Sequence, residues 1–129
     1  MELNDYADAA MRTAIYPGAG TPMGLAYVAL KMNGEAGELA EHLGKAMRDE
    51  SYGQPAILHH NGNTSPSSFD IIHPSRHALL VKEIGDVLWY LAAACRELNV
   101  TLEQAAQINL DKLADRNNRN KISGSGDER

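Results

Sequence analysis

Apolar residues recur along this chain at helical rather than strand spacing. Between Pro22 and about Arg48, Leu25, Val28, Met32, Ala36, Leu39, Leu43 and Ala46 follow in alternating steps of three and four, the seam of a bundle helix. Leu80, Ile84, Val87, Leu91, Cys95 and Leu98 form a similar stripe and predict a helix from about Arg76 to Leu98. Asn99-Val100 then reads as a turn, and TLEQ (Thr101 to Gln104) as a capping box. The helix it opens carries Leu102, Ala106, Leu110 and Leu113 inward and ends near Arg116. At the front, Leu3, Tyr6, Ala10 and Ala14 predict a first helix from about Leu3 to Ile15, with Asn4 or Asp5 near its start.

Proline and glycine mark the breaks. YPGAGTP (16–22) ends the first helix, and Thr21 followed by Pro22 is a cap and first-turn pair for the second. Residues 49–75 keep no period and are punctuated by Pro, Gly, Ser and Asn, so a long loop with at most one short strand or turn is expected there. The end, NNRNKISGSGDER, is polar and glycine-rich. The expected architecture is all-α: four main helices in one domain over 1–122, a loop insertion at about 49–75, and a flexible polar tail at 123–129. That tail is either a disordered end or a closing flap.

Composition agrees with a helical, soluble chain. The 129 residues are 43% hydrophobic and only 5% aromatic, so Ala, Leu, Ile, Val and Met must build the core. A net charge of −5 argues against a general binder of nucleic-acid polymers, which presents a basic surface. It leaves room for a phosphate-bearing substrate held through metal ions. Cys95, the single cysteine, falls on the third helix's stripe. It permits no internal disulfide, and a reducing cytoplasm is the default setting. No signal peptide and no membrane span are legible.

The candidate chemistry lies in two short runs. In GEAGELAE, Glu35 falls at the edge of the second helix's seam and Glu38 a little further round, with Lys31 and His42 in the same sector; Glu41 points to solvent. In KEIGDVLWY, Glu83 and Asp86 repeat the i, i+3 spacing beside the third helix's seam. If the seams face each other, four carboxylates converge and need cations, and an all-oxygen donor set suits Mg²⁺ or Mn²⁺. The alternative is that both runs are ordinary solvated helix faces. Each has a glycine between its acids, Gly37 and Gly85, at a cost of about 0.8–1 kcal/mol relative to alanine. Together with Gly34, these allow a close backbone approach or room for a metal–phosphate group, or mark a kink. A di-iron bundle needs Glu-x-x-His on two helices, which neither helix offers.

These two runs, GEAGELAE and KEIGDVLWYLAA, together with the later NLDKLADR (Asn109 to Arg116), resemble the MazG-like all-α nucleoside triphosphate pyrophosphohydrolases. The resemblance covers helices two to four. It implies a bundle completed by homodimerisation, as a homodimer or homotetramer, and hydrolysis of an NTP or dNTP to the monophosphate and pyrophosphate. Mg²⁺ would be the cofactor, with Mn²⁺ able to substitute. By the same resemblance Glu35, Glu38, Glu83 and Asp86 are metal ligands, and Tyr90, Asn109, Lys112 and Lys31 are substrate contacts. The expected reaction is in-line attack of metal-activated water at the α-phosphorus, with Glu35 and Glu38 catalytic, Glu38 orienting or deprotonating the water, and Lys112, Arg116 and Lys31 steadying the phosphates. The 44 residues between Glu38 and Glu83 are more than the family usually has, which leaves the base open; dGTP or dATP is the expectation. Two rivals stand beside this reading: a non-catalytic helical dimerisation or regulatory module, and a hydrolase of another phosphoanhydride such as phosphoribosyl-ATP.

Other features have plainer readings beside functional ones. Trp89 lies opposite the third helix's main stripe, for interface packing or base stacking. His59, His60, His73 and His77 read as solvated or substrate-facing rather than zinc ligands, and Asn61, Asn63 and Ser65 as turn residues or base readers. Arg116, Arg119 and Lys121 either complement a helix C-terminus or meet phosphate. PGAGTP lacks the Gly-Lys-Ser/Thr ending of a phosphate loop and is expected to be a connector.

Overall fold

Caps and breakers set the helix ends. In the computed structural model, which describes residues 1–50, 52 and 72–126, four helices and no strand occur among the described residues. They are α1 (Leu3–Met11), α2 (Pro22–Asp49), α3 (Pro74–Glu97) and α4 (Leu102–Asn118). The expected all-α class is observed. Most of the expected 49–75 loop lies outside the described residues, along with His59, His60, Asn61, Asn63, Ser65, the short strand or turn, and 127–129 of the tail. The described part of that tail, 123–126, forms bends rather than helix.

Thr101 caps α4 as its sequence requires: its hydroxyl accepts from the Gln104 N–H at 3.0 Å, and the Gln104 side chain accepts from the Thr101 N–H at 2.8 Å. Both α3 and α4 close on an asparagine in the left-handed region, Asn99 (φ 55°) and Asn120 (φ 54°). Val100 N–H reaches the Cys95 carbonyl and Lys121 N–H the Arg116 carbonyl, the bonding of a Schellman end. Pro74 opens α3 two residues before the expected start, since a proline lacks only a bond that the first turn does not make. The first helix is shorter than expected. It stops at Met11, and Arg12, Thr13 and Ala14 bond three residues back instead of four. β-branched Thr13 and Ile15 and the restriction that Pro17 puts on Tyr16 explain the early exit.

The chain divides into two compact units, Met1–Tyr27 with Leu91–Arg129, and Val28–Tyr90. In the first, Asn4 of α1 accepts from the Glu103 N–H at 3.2 Å and donates to its carboxylate at 2.7 Å, so α1 satisfies an N–H that α4's first turn leaves open. Glu97 fastens the 16–20 connector: its carboxylate accepts from the Tyr16 hydroxyl (2.5 Å) and the Gly20 N–H (3.0 and 3.1 Å). Arg96 lies over the Tyr16 ring, 5.5 Å from its centroid, and Tyr16 stacks on Tyr27. Gly18 (φ 72°) turns the connector so tightly that a Cβ on Gly24 would collide with the Gly18 carbonyl. PGAGTP is thus a connector held by local bonds, as expected.

In the second unit, Val28 and Ala46 of α2 are fully buried, while Leu39, Leu43, Leu80 and Val87 are half-buried. Arg76, near the start of α3, forks onto Glu50 beyond the end of α2, with Nη2 2.7 Å and Nε 3.0 Å from the same oxygen. Several stripe positions expected inward are instead exposed: Ala36, and Ile84 (54%), Leu91, Leu98, Leu110 (59%) and Leu113. Helical periodicity identifies an apolar face, but not whether the same chain covers it.

Candidate metal centre

Two of the cluster's carboxylates come from one turn of α2 and the third from α3. Glu35, Glu38 and Glu83 each offer an oxygen, and these oxygens all lie within 4.8 Å of one another. Glu83 is buried at 9% exposure; Glu35 is half-buried and Glu38 exposed. Asp86 is exposed and stands outside this group. Three residues along a helix turn a side chain about 60° from the starting direction. No other group of three or more His, Cys, Asp or Glu side chains able to hold an ion occurs among the described residues.

Two nitrogen-bearing groups border the cluster. Lys31 Nζ is 3.8 Å from Glu35 one turn on, and His42 Nε2 is 3.5 Å from Glu83 Oε1. Glu38 has no ion pair among the described residues. Three carboxylates crowded this closely, one of them out of water, repel one another unless more positive charge is supplied. An all-oxygen set open to water at Glu38 suits a hard divalent ion such as Mg²⁺ or Mn²⁺. The residues present therefore fit that cofactor.

A Cβ built on Gly34, Gly37 or Gly85 would meet nothing within 4 Å. The close backbone approach foreseen for these glycines is not made within the described chain; each leaves open space at its own position on the helix. Glu41 points to solvent as expected, 2.6 Å from Lys45, whose ammonium holds its carboxyl below the ordinary range.

The remaining sequence-predicted residues are dispersed. Tyr90 is half-buried on α3, its ring edge-to-face with Trp89 at 4.9 Å between centroids. Asn109, Lys112 and Arg116 share one face of α4 by their spacing, in the first unit. Asn109 is exposed and Lys112 half-buried, whereas Arg116 is buried at 5% exposure and donates to the Gly126 carbonyl at 3.3 Å. His73 and His77 are exposed, and His73 Nδ1 contacts the Ser75 hydroxyl at 2.7 Å. Cys95 is half-buried, and burial pushes its thiol pKa up, as for a packing residue rather than a nucleophile.

Sequence reasoning gave no role to Arg76 or Glu50, and none to His42 beyond its sector. His42 is seven residues after Glu35 and Arg76 seven before Glu83, so each shares its acid's helix face. That spacing was the available signal.

The span holding all these acids, residues 26–120, matches the MazG nucleotide pyrophosphohydrolase domain. The chain belongs to that family. The MazG domain takes in most of α2 and all of α3 and α4, as the resemblance of the acidic runs implied. The Gene 37 protein of Mycobacterium phage L5 is 38% identical over 132 residues, an alignment covering the whole of both chains. No solved structure gives a significant match. No helix among the described residues is long and apolar enough to cross a membrane.

Proposed function

We propose that this MazG-family chain is a divalent-metal-dependent nucleoside triphosphate pyrophosphohydrolase that converts an NTP or dNTP and water to the monophosphate and pyrophosphate. The observation that carries the proposal is the convergence of Glu35, Glu38 and Glu83 on one point, inside the span that matches the family. These three, joined by Asp86, would hold Mg²⁺, or Mn²⁺ in its place. Bound there, such an ion would supply charge to offset the phosphates and would acidify water.

Glu38, the most open of the three, orients the attacking water and takes its proton, with Glu35 beside it. The water oxygen bonds to the α-phosphorus, the bond from that phosphorus to the α,β-bridging oxygen breaks, and pyrophosphate leaves with the electron pair. Lys31, Lys112 and Arg116 offset the charge on the phosphates, and Tyr90 and Asn109 contact the nucleotide. A purine deoxynucleotide, dGTP or dATP, is the proposed substrate.

The exposed apolar residues Ile84 on α3 and Leu110 and Leu113 on α4 mark faces that a homodimer or homotetramer would cover. The proposed setting is cytoplasmic, on the residue of one half-buried, unpaired cysteine. The same apolar faces would serve a non-catalytic dimerisation module, and metal dependence separates the two. Purified protein incubated with each common NTP, dNTP and phosphoribosyl-ATP, in Mg²⁺, Mn²⁺ or EDTA, should yield monophosphate and pyrophosphate from a nucleoside triphosphate only with metal. Turnover of phosphoribosyl-ATP alone would move the substrate, and no turnover by folded protein would favour the module.

A further inference from the structure

A line of polar side chains runs behind the acidic cluster, entirely within the second unit. Glu50 receives two bonds from the Arg76 fork, and Arg76 Nη1 lies 3.2 Å from His42 Nδ1. His42 Nε2 then faces Glu83 Oε1 at 3.5 Å. All four side chains are largely withdrawn from water, with relative exposures of 12–24%.

The order of donors along this line is fixed by chemistry. A guanidinium has only N–H donors, so His42 Nδ1 must accept from Arg76. The ring then carries its hydrogen on Nε2, the nitrogen turned to Glu83. Glu50 in turn fixes the Arg76 fork by binding two of its nitrogens through one oxygen. Exchanging tautomers would set a donor against a donor at Arg76, and flipping the ring would turn carbon atoms toward both partners.

We propose that His42, locked by Arg76 and Glu50, is a positioning residue that aims the Glu83 carboxylate at Glu35 and Glu38 and so sets the affinity of the metal centre. This rests on the metal-dependent reading given above. Partners in the outer shell of a metal site contribute typically ~10–100-fold to affinity, and Glu83, as the buried member, has the least water available to orient it otherwise. Arg76 and Glu50 also stand at the two stems of the 51–71 segment. Their ion pair ties those stems together beside the centre, which lets the intervening length vary while the aim of Glu83 is kept.

The test measures Mn²⁺ binding by the loss of the free-ion EPR signal, without nucleotide, on wild type, His42→Ala, His42→Gln, Arg76→Gln and the double variant His42→Ala/Arg76→Gln. Far-UV circular dichroism checks that each is folded. The expected result is a Kd raised ~10–100-fold in His42→Ala and raised in Arg76→Gln. His42→Gln, whose amide can both accept and donate, should recover most of the affinity. The double variant should be little worse than His42→Ala, because the two residues act in series. If His42→Ala loses helix, His42→Leu fills the space and reads the same quantity. Unchanged Mn²⁺ affinity in a folded variant lacking the imidazole, beside a wild type that binds, overturns the positioning role and leaves the metal centre standing. A wild type that binds no Mn²⁺ overturns both.

Discussion

Gly37 stands between two of the clustered acids in the middle of a 28-residue helix, where a Cβ would meet nothing within 4 Å. Gly37→Ala therefore adds a methyl group without a clash and removes glycine's backbone freedom from the unfolded chain. The gain should be about 0.4–1 kcal/mol, close to the full helix-propensity difference of about 1 kcal/mol. For a chain of this size that corresponds to a rise in Tm of about 4 °C. Melts should be followed by circular dichroism at one fixed protein concentration, since assembly would otherwise shift Tm by mass action. In the same preparation kcat/KM should stay unchanged, because position 37 lies about 160° round the helix axis from Glu35 and about 100° from Glu38, so the methyl group points away from the clustered carboxylates. Gly24→Ala is the opposing control: its Cβ would strike the Gly18 carbonyl, and overpacking of this kind costs about 1–3 kcal/mol. A Gly37→Ala protein no more stable than wild type would refute the inference that the position is open. A more stable protein with greatly reduced turnover would refute the inference that the position lies away from the metal centre.

Two further outcomes follow from the first unit. Acceptance of the Tyr16 hydroxyl and then of the Gly20 N–H holds the Glu97 carboxyl below its ordinary 4.5, so its bonds stabilise the fold fully above that pH and are lost as pH falls through the lowered value. The Tm difference between wild type and Glu97→Gln should hence be largest above pH 5 and shrink on acidification below 4.5; a difference independent of pH would refute the role of the ionised carboxylate. Leu110 is 59% exposed on α4, one turn before Leu113 at 42%, and if a second copy covers this face, Leu110→Glu should shift sedimentation velocity toward the monomer. A wild-type protein already monomeric at micromolar concentration would refute that assembly.

Much of the fold was legible because its stop and start signals are chemical. Pro22, the Thr101 box and the asparagines after α3 and α4 leave the backbone few alternatives, and the helices begin or end there. The stripe of α1 misled at its end: Ala14 continues the apolar period, but period says nothing about the restriction that Pro17 imposes on Tyr16 just before it. Pro74 falls within the stretch expected as loop but is a first-turn residue of α3, since a missing N–H suits either place. At the candidate site, the i, i+3 spacing was enough to single out Glu35, Glu38 and Glu83, and the structure brings those three together. The contacts of His42 with Arg76 and Glu83 depend on which turns of α2 and α3 lie side by side. Single-helix spacing does not contain that register. Nor does it contain what covers Ile84 or Leu110.

The central claim, that the Glu35, Glu38 and Glu83 cluster supports metal-dependent release of pyrophosphate, is tested most directly by one assay. Wild type and Glu38→Gln are incubated with the nucleoside triphosphate panel in Mg²⁺ and in EDTA, with both products identified by ion-exchange chromatography. The account predicts stoichiometric monophosphate and pyrophosphate from wild type in Mg²⁺, none in EDTA, and a loss of turnover in a folded Glu38→Gln of at least about 100-fold, the low end of a general base's contribution. Full activity in Glu38→Gln, or orthophosphate in place of pyrophosphate, would contradict it.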